Sequence, residues 1–396
     1  MDYETALASL FSADGRLDPY PAYDTIREHA PIFRALDGRW FVTTHELTNR
    51  LLREPSLRVA DAADYDGMWP DWRENRAVAS IVMSMLQFNP PEHTRVRRVA
   101  AATFTARRVA GMRDVITGIA EKLIKEMPER ADFVSAFAYP LPIAVICALL
   151  GVPESDQSWF RQRAADLTVV LEPISSEQEM ATADTAGREL EDYFIGLIAE
   201  RQKNPQEDLT SALAADGTLT GQELLANLVL LLVAGFETTT NLLGTGLKIL
   251  LDRPDQADRL RADPGLAAAF VEETLRYDSP VQLTTRFTST ALDLGDGHHL
   301  AAGVPLTMLL GSANRDPARY PDPHRFDPGR PSIQPVSFGG GAHYCLGAPL
   351  ARLEAQVAFP LLLRILPELR ADGEPVRRDR LVLRGYASLP IRTSRQ

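Results

Sequence analysis

Apolar residues along this chain recur mostly every three to four positions, the spacing of amphipathic helices, and only short stretches read as strands. The strongest helical run opens at Thr220-Gly221-Gln222-Glu223, a capping box in which hydroxyl and carboxylate each take up an otherwise unpaired backbone N–H. Leu224, Leu228, Leu231, Leu232 and Gly235 then keep the helical period, and every position from Leu228 to Val233 is apolar. A helix with no polar face is buried all round. Asn227 and Glu237 interrupt the run too soon for a membrane span. Inside it, Ala234-Gly235-Phe236-Glu237-Thr238-Thr239-Thr240-Asn241 places a glycine, a carboxylate and three threonines before the apolar pattern resumes from Leu242 to Leu251. Glycine and three consecutive threonines are poor choices for a helix interior, and a threonine hydroxyl can bond the carbonyl four residues back and bend the helix. A buried carboxylate is costly unless paired or protonated. The insert therefore points to chemistry rather than packing.

Elsewhere the pattern is more ordinary. Asp18 to Arg27 reads as a proline-bounded turn entering a short helix, Trp40-Phe41-Val42-Thr43 as a strand, and the stretch to Leu52 as helix. Residues from about Ala60 to Ala79 read as loop and carry Tyr65, Trp69 and Trp72, either folded back on the surface or walling a binding site. In Asn89-Pro90-Pro91-Glu92-His93-Thr94-Arg95-Val96-Arg97-Arg98 two prolines open a helix on which His93 and Arg97 share a face at i and i+4. Two donors on one face suit a pair of carboxylates, and a solvated basic helix has the same pattern. From Val109 to Arg201 the period is helical, interrupted at Gly151-Val152-Pro153 and again near Thr168 to Pro173. Glu273 and Arg276 share a helix face at i and i+3, and Ser279 to Thr288 reads as a strand.

Composition narrows the classes. The 396 residues are 45% apolar and 24% charged, the balance of a globular chain, with no linker, repeat or low-complexity tract. The net charge of −11 argues against general nucleic-acid binding. Two cysteines supply no disulfide framework and suit a reducing cytoplasm. Met1 to Asp18 shows neither a signal peptide nor a membrane anchor.

The cysteines differ in setting. Cys147 lies in the apolar run Leu141 to Leu150 and reads as core. Cys345 ends the glycine-rich stretch Phe338-Gly339-Gly340-Gly341-Ala342-His343-Tyr344-Cys345-Leu346-Gly347, ahead of a helix start with Pro349 in its first turn. Glycines let backbone pass close to a ligand and present bare N–H groups. A cysteine at a helix N-terminus is biased toward thiolate. With no CxxC pair, structural zinc and iron–sulfur clusters are excluded, and no CxxCH offers covalent haem attachment. Two uses remain: a nucleophile with His343 as its base, or one axial ligand to a metal whose other ligands belong to a macrocycle.

The spacing Phe-Gly-x-Gly-x-His-x-Cys-x-Gly resembles the haem-binding loop of the cytochromes P450, whose iron takes a cysteine thiolate. Further segments match that family in order. Ala234 to Thr239 is similar to its Ala/Gly-Gly-x-Asp/Glu-Thr-Thr segment, and His93 and Arg97 match its propionate-gripping helix, although Asn89 stands where an aspartate is more usual. Glu273 and Arg276 match its ExxR pair, Pro323-His324-Arg325-Phe326 the segment whose arginine joins that pair, and Arg286 its strand arginine, although Thr288 stands where alanine is frequent. Asn314-Arg315-Asp316-Pro317 also matches, and Leu383 to Pro390 looks like the terminal hairpin whose turn dips toward substrate. The likeness runs from about Asp18 to Ile391.

The resemblance implies a mainly α fold with small β-sheets, the cytochrome P450 fold, as one domain over residues 1–396 with a loosely ordered start at 1–17. It implies haem b (iron protoporphyrin IX) with Cys345 as axial iron ligand. His93, Arg97 and Arg286 would meet its propionates, and Phe338, Gly339, His343, Ala234 and Gly235 would surround it. Thr238 would hydrogen-bond the reacting oxygen and Glu237 would relay protons from solvent. Glu273, Arg276 and Arg325 would form a structural cluster. Trp69, Trp72, Leu86, Val233, Leu283 and Tyr386 would line the substrate site and favour an apolar ligand. The implied reaction inserts one oxygen atom from O2 by C–H hydroxylation or epoxidation, tailoring a specialised metabolite such as a polyketide, peptide or terpenoid, in antibiotic biosynthesis for example. The substrate is a small molecule, free or tethered to a carrier protein. Electrons would come from NAD(P)H through a reductase and a ferredoxin, since no flavin or iron–sulfur domain is fused here; Arg95, Arg98, Arg107 and Arg108 read either as a docking face for the electron carrier or as an exposed arginine cluster without a partner. Alternatives from other classes are peroxide-driven turnover, oxidative coupling on the same iron, a non-catalytic relative that binds a partner, and the cysteine nucleophile.

Overall fold

The computed structural model describes residues 2–36, 38–295 and 297–393 and is mainly helical with small sheets. Helices form where the sequence keeps its helical period. The capping box at Thr220 is present: the Glu223 amide donates to Thr220 Oγ1 (3.2 Å) and the Thr220 amide to Glu223 Oε2 (2.9 Å). The helix it opens runs from Gly221 to Asp252. It is long and apolar enough to cross a membrane, but most of its apolar surface is packed inside the protein. Gly151, at φ +76°, ends the helix Pro140–Leu150 where the sequence predicts a break. Residues 2–17, expected to be loosely ordered, carry the helices Tyr3–Ser9 and Ala13–Leu17, with Ala6 and Leu7 buried.

Three local expectations change. The stretch 60–79 is not loop: it holds the helix Ala62–Met68 and the start of Arg76–Val82. Asp61 and Asp64 form a capping box there with aspartate as the returning acid, and Asn75 caps the second helix. The strand read from Ser279 is confined to Thr284–Thr288, because Ser279 to Leu283 makes only an isolated bridge from Val281 to Leu383. Leu383 to Pro390 is not a hairpin by itself. Tyr386–Ser388 pairs with Val376–Arg377, whereas Pro390–Arg392 pairs with Arg130–Asp132 and Arg370–Ala371.

The described residues cluster into two compact units where the sequence predicts one domain. The chain changes unit within the long helix, between Leu243 and Gly244, and again directly after Cys345. Neither unit is thus a continuous segment, and no linker marks them in the sequence. The first contains residues 1–59, 244–345 and 375–388. Its five-stranded sheet runs in the order Ile32–Arg34, Trp40–Val42, Pro305–Met308, Thr284–Thr288, Leu57–Arg58. Only the Trp40–Val42 and Pro305–Met308 pair is parallel. Tyr23, Ile26, Phe41 and Leu309 pack in one core cluster of this unit, and Val42, Leu52, Leu306, Met308 and Val336 in another. The second unit contains residues 60–243, 346–374 and 389–396 as far as they are described. In it the helix Glu177–Lys203 packs on Gln157–Leu167 and Arg76–Val82, and Ala348–Ile365 packs on Arg113–Glu126.

Candidate functional site

In the first unit, the stretch 338–345 is a built loop. Gly339 and Gly341 sit at φ +70° and +62°, conformations that side chains rarely adopt. A Cβ on Gly341 would also lie 2.5 Å from the Leu52 carbonyl oxygen, so the loop is seated against the end of the helix His45–Leu51. The Cys345 amide donates to the Phe338 carbonyl at 2.9 Å and closes the loop, while the Phe338 and Tyr344 rings stand edge to face. Cys345 is exposed and His343 partly so. The helix Ala348–Ile365 starts three residues further on, with Pro349 in its first turn as the sequence predicts.

The base of this loop is tied to Glu273 and Arg276. That pair is fully buried and joined by two bonds of 2.7 Å. Arg276 also donates to the carbonyls of Asn314 (3.2 Å), Pro323 (2.9 Å) and Arg325 (3.1 Å). The third member expected from the sequence needs correction. The Arg325 side chain is 71% exposed and lies 3.8 Å from Asp327, contributing only its backbone carbonyl to the cluster. Arg330, 8% exposed, reaches Glu273 Oε1 at 3.2 Å. The chain turns sharply between the two, so the later arginine faces inward. The sequence marked Asn314 only as part of a matching segment and missed its role: its amide accepts from the Val336 N–H and donates to Ser337 Oγ, both at 2.8 Å. A second missed cluster holds the buried Asp278, bonded by Tyr20 (2.8 Å), Arg377 (2.7 Å) and Arg384 (2.7 Å). Despite the cost of burial, the surrounding arginines hold its carboxyl well below the usual carboxylate range.

Arg286 lies on the strand Thr284–Thr288, opposite Leu306. It is partly buried, bonds Thr284 Oγ1 (2.8 Å) and the Thr285 carbonyl (2.9 Å), and has no carboxylate partner among the described residues. Burial lowers its pKa to about 10, which marks a cation held without its counter-charge. Two residues assigned to substrate do not show an open face here. Leu283 packs against the cluster around Tyr23 and Phe41. Tyr386 is buried beneath the Arg377 guanidinium, 4.0 Å from its ring centroid, and burial pushes its phenol up to about 12.

In the second unit the long helix behaves as its pattern predicts, with one opening. From Ala226 to Leu243 only Ala234, Gly235 and Thr238 are not buried. They lie at i, i+1 and i+4, a single face. Among the described residues the Thr238 hydroxyl makes only a long 3.4 Å bond to the Ala234 carbonyl, and Glu237, buried, has the Asn241 amide 3.4 Å from Oε1. Gly235 has a packing reason as well: a Cβ there would meet Ile146 Cγ1 at 2.8 Å, so glycine lets this helix approach Pro140–Leu150. Val233, expected to face substrate, is fully buried on the closed side of the helix.

His93 and Arg97 lie on the helix Glu92–Thr103 as predicted. His93 is buried, and that burial, with the Arg97 charge second, lowers its pKa to about 4. Among the aromatic residues of 60–79, Trp69 is partly exposed, as is Leu86 further on. Trp72 is not available to a ligand. It is fully buried against Val78, Ala79, Val82 and Tyr65, with its indole N–H on Asp66 at 2.9 Å. An aromatic residue flanked by polar ones reads as exposed, and only the fold shows the cluster it enters.

Comparison with protein families matches residues 265–369 to Cytochrome P450. Cytochrome P450 monooxygenase PikC of Streptomyces venezuelae is 39% identical over 404 residues, covering 96% of this chain and 92% of that protein. The 6-deoxyerythronolide B hydroxylase of Saccharopolyspora erythraea is 36% identical over 408 residues, covering 98% and 99%. Among solved structures, P450BioI in complex with hexadec-9Z-enoic acid ligated acyl carrier protein superposes with a TM-score of 0.89 at 32% identity, covering 96% of this chain and all of that one.

Proposed function

Because this chain belongs to the cytochrome P450 family, we propose that it inserts one oxygen atom from O2 into a mainly apolar small molecule, by C–H hydroxylation or epoxidation, to tailor a specialised metabolite such as a polyketide, peptide or terpenoid. The protein is a cytochrome P450 monooxygenase with a haem iron cofactor. The observation that carries the site assignment is the opening in the long helix. Over a stretch that is otherwise buried, the accessible residues are Ala234, Gly235 and Thr238, three of the five that the family segment marks, while Glu237 and Thr239 are buried.

The donor set suits haem b. Cys345, exposed on a hydrogen-bonded loop, would ligate the iron as thiolate, and the loop's N–H groups would temper its donation through bonds to sulfur. Arg286, a partly buried cation without a carboxylate partner among the described residues, would take a propionate, and His93 and Arg97 would be the two donors that their helix offers to the propionates. When bound, the haem supplies the activation of O2 and the transfer of one oxygen atom to substrate. The chain's own work is to bind, exclude water and deliver protons. Thr238, held only by a long bond to its own helix, can turn its hydroxyl toward the reacting oxygen. Glu237, buried one residue earlier, would hold a proton and pass it on, with the Asn241 amide orienting its carboxyl. Ala234 and Gly235 keep that face free of bulk.

Electrons would come from NAD(P)H through a ferredoxin reductase and a ferredoxin in the cytoplasm. The substrate would arrive free or on a carrier protein: one relative is named for hydroxylating 6-deoxyerythronolide B, and one neighbour was solved with a fatty acid on its acyl carrier. The test is the absorption spectrum of the reduced, carbon-monoxide-treated protein. A thiolate-haem Soret band is expected and should vanish in Cys345→Ala. Haem bound without that band refutes the assignment. Titrating the ferric protein with free and with carrier-bound metabolites then separates the two modes of presentation by the ligand that shifts the Soret band.

A further inference from the structure

We infer that Asn314 is a positioning residue for Cys345, fixing the base of the cysteine loop through its side-chain amide. The inference rests on the thiolate reading above. Asn314 is 0% exposed and caps the short helix Leu310–Ala313. Oδ1 accepts the Val336 N–H at 2.8 Å, Nδ2 donates to Ser337 Oγ at 2.8 Å, and its own carbonyl accepts Arg276 Nη1 at 3.2 Å. Ser337 Oγ donates onward to the Leu275 carbonyl at 2.8 Å. The two residues ahead of Phe338 are therefore pinned to the amide on one side and to the helix Ala267–Tyr277 on the other. The next carbonyl, that of Phe338, takes the Cys345 N–H at 2.9 Å. Continuous bonded contacts thus lead from the buried Glu273–Arg276 pair to the cysteine.

The direction of each bond explains why an amide stands there. The single Ser337 proton goes to Leu275, so its oxygen can only accept at position 314. The Val336 N–H needs an acceptor at the same site. Asparagine provides donor and acceptor together. Aspartate would face Ser337 Oγ with a second acceptor and a buried charge, and alanine would leave the Val336 N–H unpaired in the interior. Either change gives the loop slack at its base. A loop with slack at its base holds the Cys345 sulfur less firmly in place, and the loss of thiolate ligation reads that slack.

The experiment compares Asn314→Ala, Asn314→Asp and Ser337→Ala with Thr210→Ala, a control at a fully buried hydroxyl that likewise donates to a carbonyl, that of Leu150 at 2.7 Å. The readout is the ratio of thiol-ligated to thiolate-ligated haem in the reduced carbon monoxide spectrum, measured where circular dichroism shows each protein folded. Asn314→Ala is expected to raise that ratio roughly tenfold, the effect of one buried N–H left unpaired. Asn314→Asp should raise it at least as much, and Ser337→Ala in the same direction by less. Thr210→Ala should lower the melting temperature and leave the ratio unchanged. A wild-type ratio in Asn314→Ala overturns the inference, as does an equal shift in Thr210→Ala. Should Asn314→Ala not fold, Ser337→Ala decides, and an unchanged ratio there overturns the inference. If the wild type itself shows no thiolate band, the functional reading fails first and takes this inference with it.

Discussion

The replacement of Arg325 by Arg330 as the partner of Glu273 can be tested quantitatively. Glu273 Oε1 accepts from Arg276 Nη2 (2.7 Å), the Asp327 amide (2.8 Å) and Arg330 Nε (3.2 Å). Arg330→Met keeps the apolar stem and removes the last of these. Breaking a buried ion pair costs about 3–5 kcal/mol, and because Arg276 still holds the carboxylate at two points the loss should fall near 3 kcal/mol. Arg330 also donates to the carbonyls of Pro321 (2.6 Å), Asp322 (2.8 Å) and Arg325 (2.8 Å). Water can reach these, so they add roughly 1 kcal/mol together. Arg325→Ala removes an exposed side chain 3.8 Å from Asp327 and leaves its useful carbonyl in place, so its cost should stay within about 0.5 kcal/mol. Denaturant unfolding of the two variants beside the parent measures both numbers. Equal losses, or a larger loss in Arg325→Ala, would refute the placement of these side chains.

Four further outcomes are expected. Gly235→Ala gains about 1 kcal/mol of helix propensity but forces a methyl against Ile146, so it should destabilise by roughly 1–2 kcal/mol net, and Ile146→Val should restore part of that in a double-mutant cycle. Thr238→Ala should retain haem and substrate binding while reducing power is lost to hydrogen peroxide, measured as product formed per NAD(P)H; fully coupled turnover removes Thr238 from the mechanism. In haem-free protein His93 titrates at about 4, below its ordinary 6.5, so the unfolded chain binds the extra proton and stability should fall as pH drops between those values. His93→Gln should flatten that slope, and an unchanged slope counts against the assignment. Glu354 has the opposite sign: burial raises its pKa well above 4.5, the folded protein holds the proton, and stability should fall as pH rises from 4.5 toward the raised value. Glu354→Gln should remove that loss in urea unfolding at mildly acidic and mildly alkaline pH.

What the sequence disclosed was local. The capping box at Thr220, the break at Gly151 and the glycine loop ending in Cys345 each depend on neighbours within a few residues, and each is present. The polar insert in the long helix was legible because it violates the pattern around it, and the accessible face falls on three of its residues. The failures lie where distant segments decide. Glu273 and Arg276 are visible as an i, i+3 pair, but the choice between two later arginines depends on how the chain turns after Asp322, a non-glycine residue at φ +50°. Trp72 is flanked by polar residues, and its burial follows from packing on the helix Arg76–Val82. Gly235 was legible as a special residue, but its close approach to Ile146 was not, since that partner lies in a helix some ninety positions earlier. The capping box at Asp61 escaped because aspartate, rather than glutamate or glutamine, closes it.

The strand order of the five-stranded sheet also has a consequence for biosynthesis. Strands drawn from residues 32–58 are completed by strands drawn from residues 284–308. On the ribosome the early strands must wait while more than two hundred residues are added, which at roughly 5–20 residues per second is on the order of ten to forty seconds. Throughout that interval Phe41 and Val42, buried in the finished sheet, lie on the edge that Pro305–Met308 later covers, an unpaired edge that favours pairing with other chains. Any chain ending short of Met308 will collect in the insoluble fraction however well its helices form.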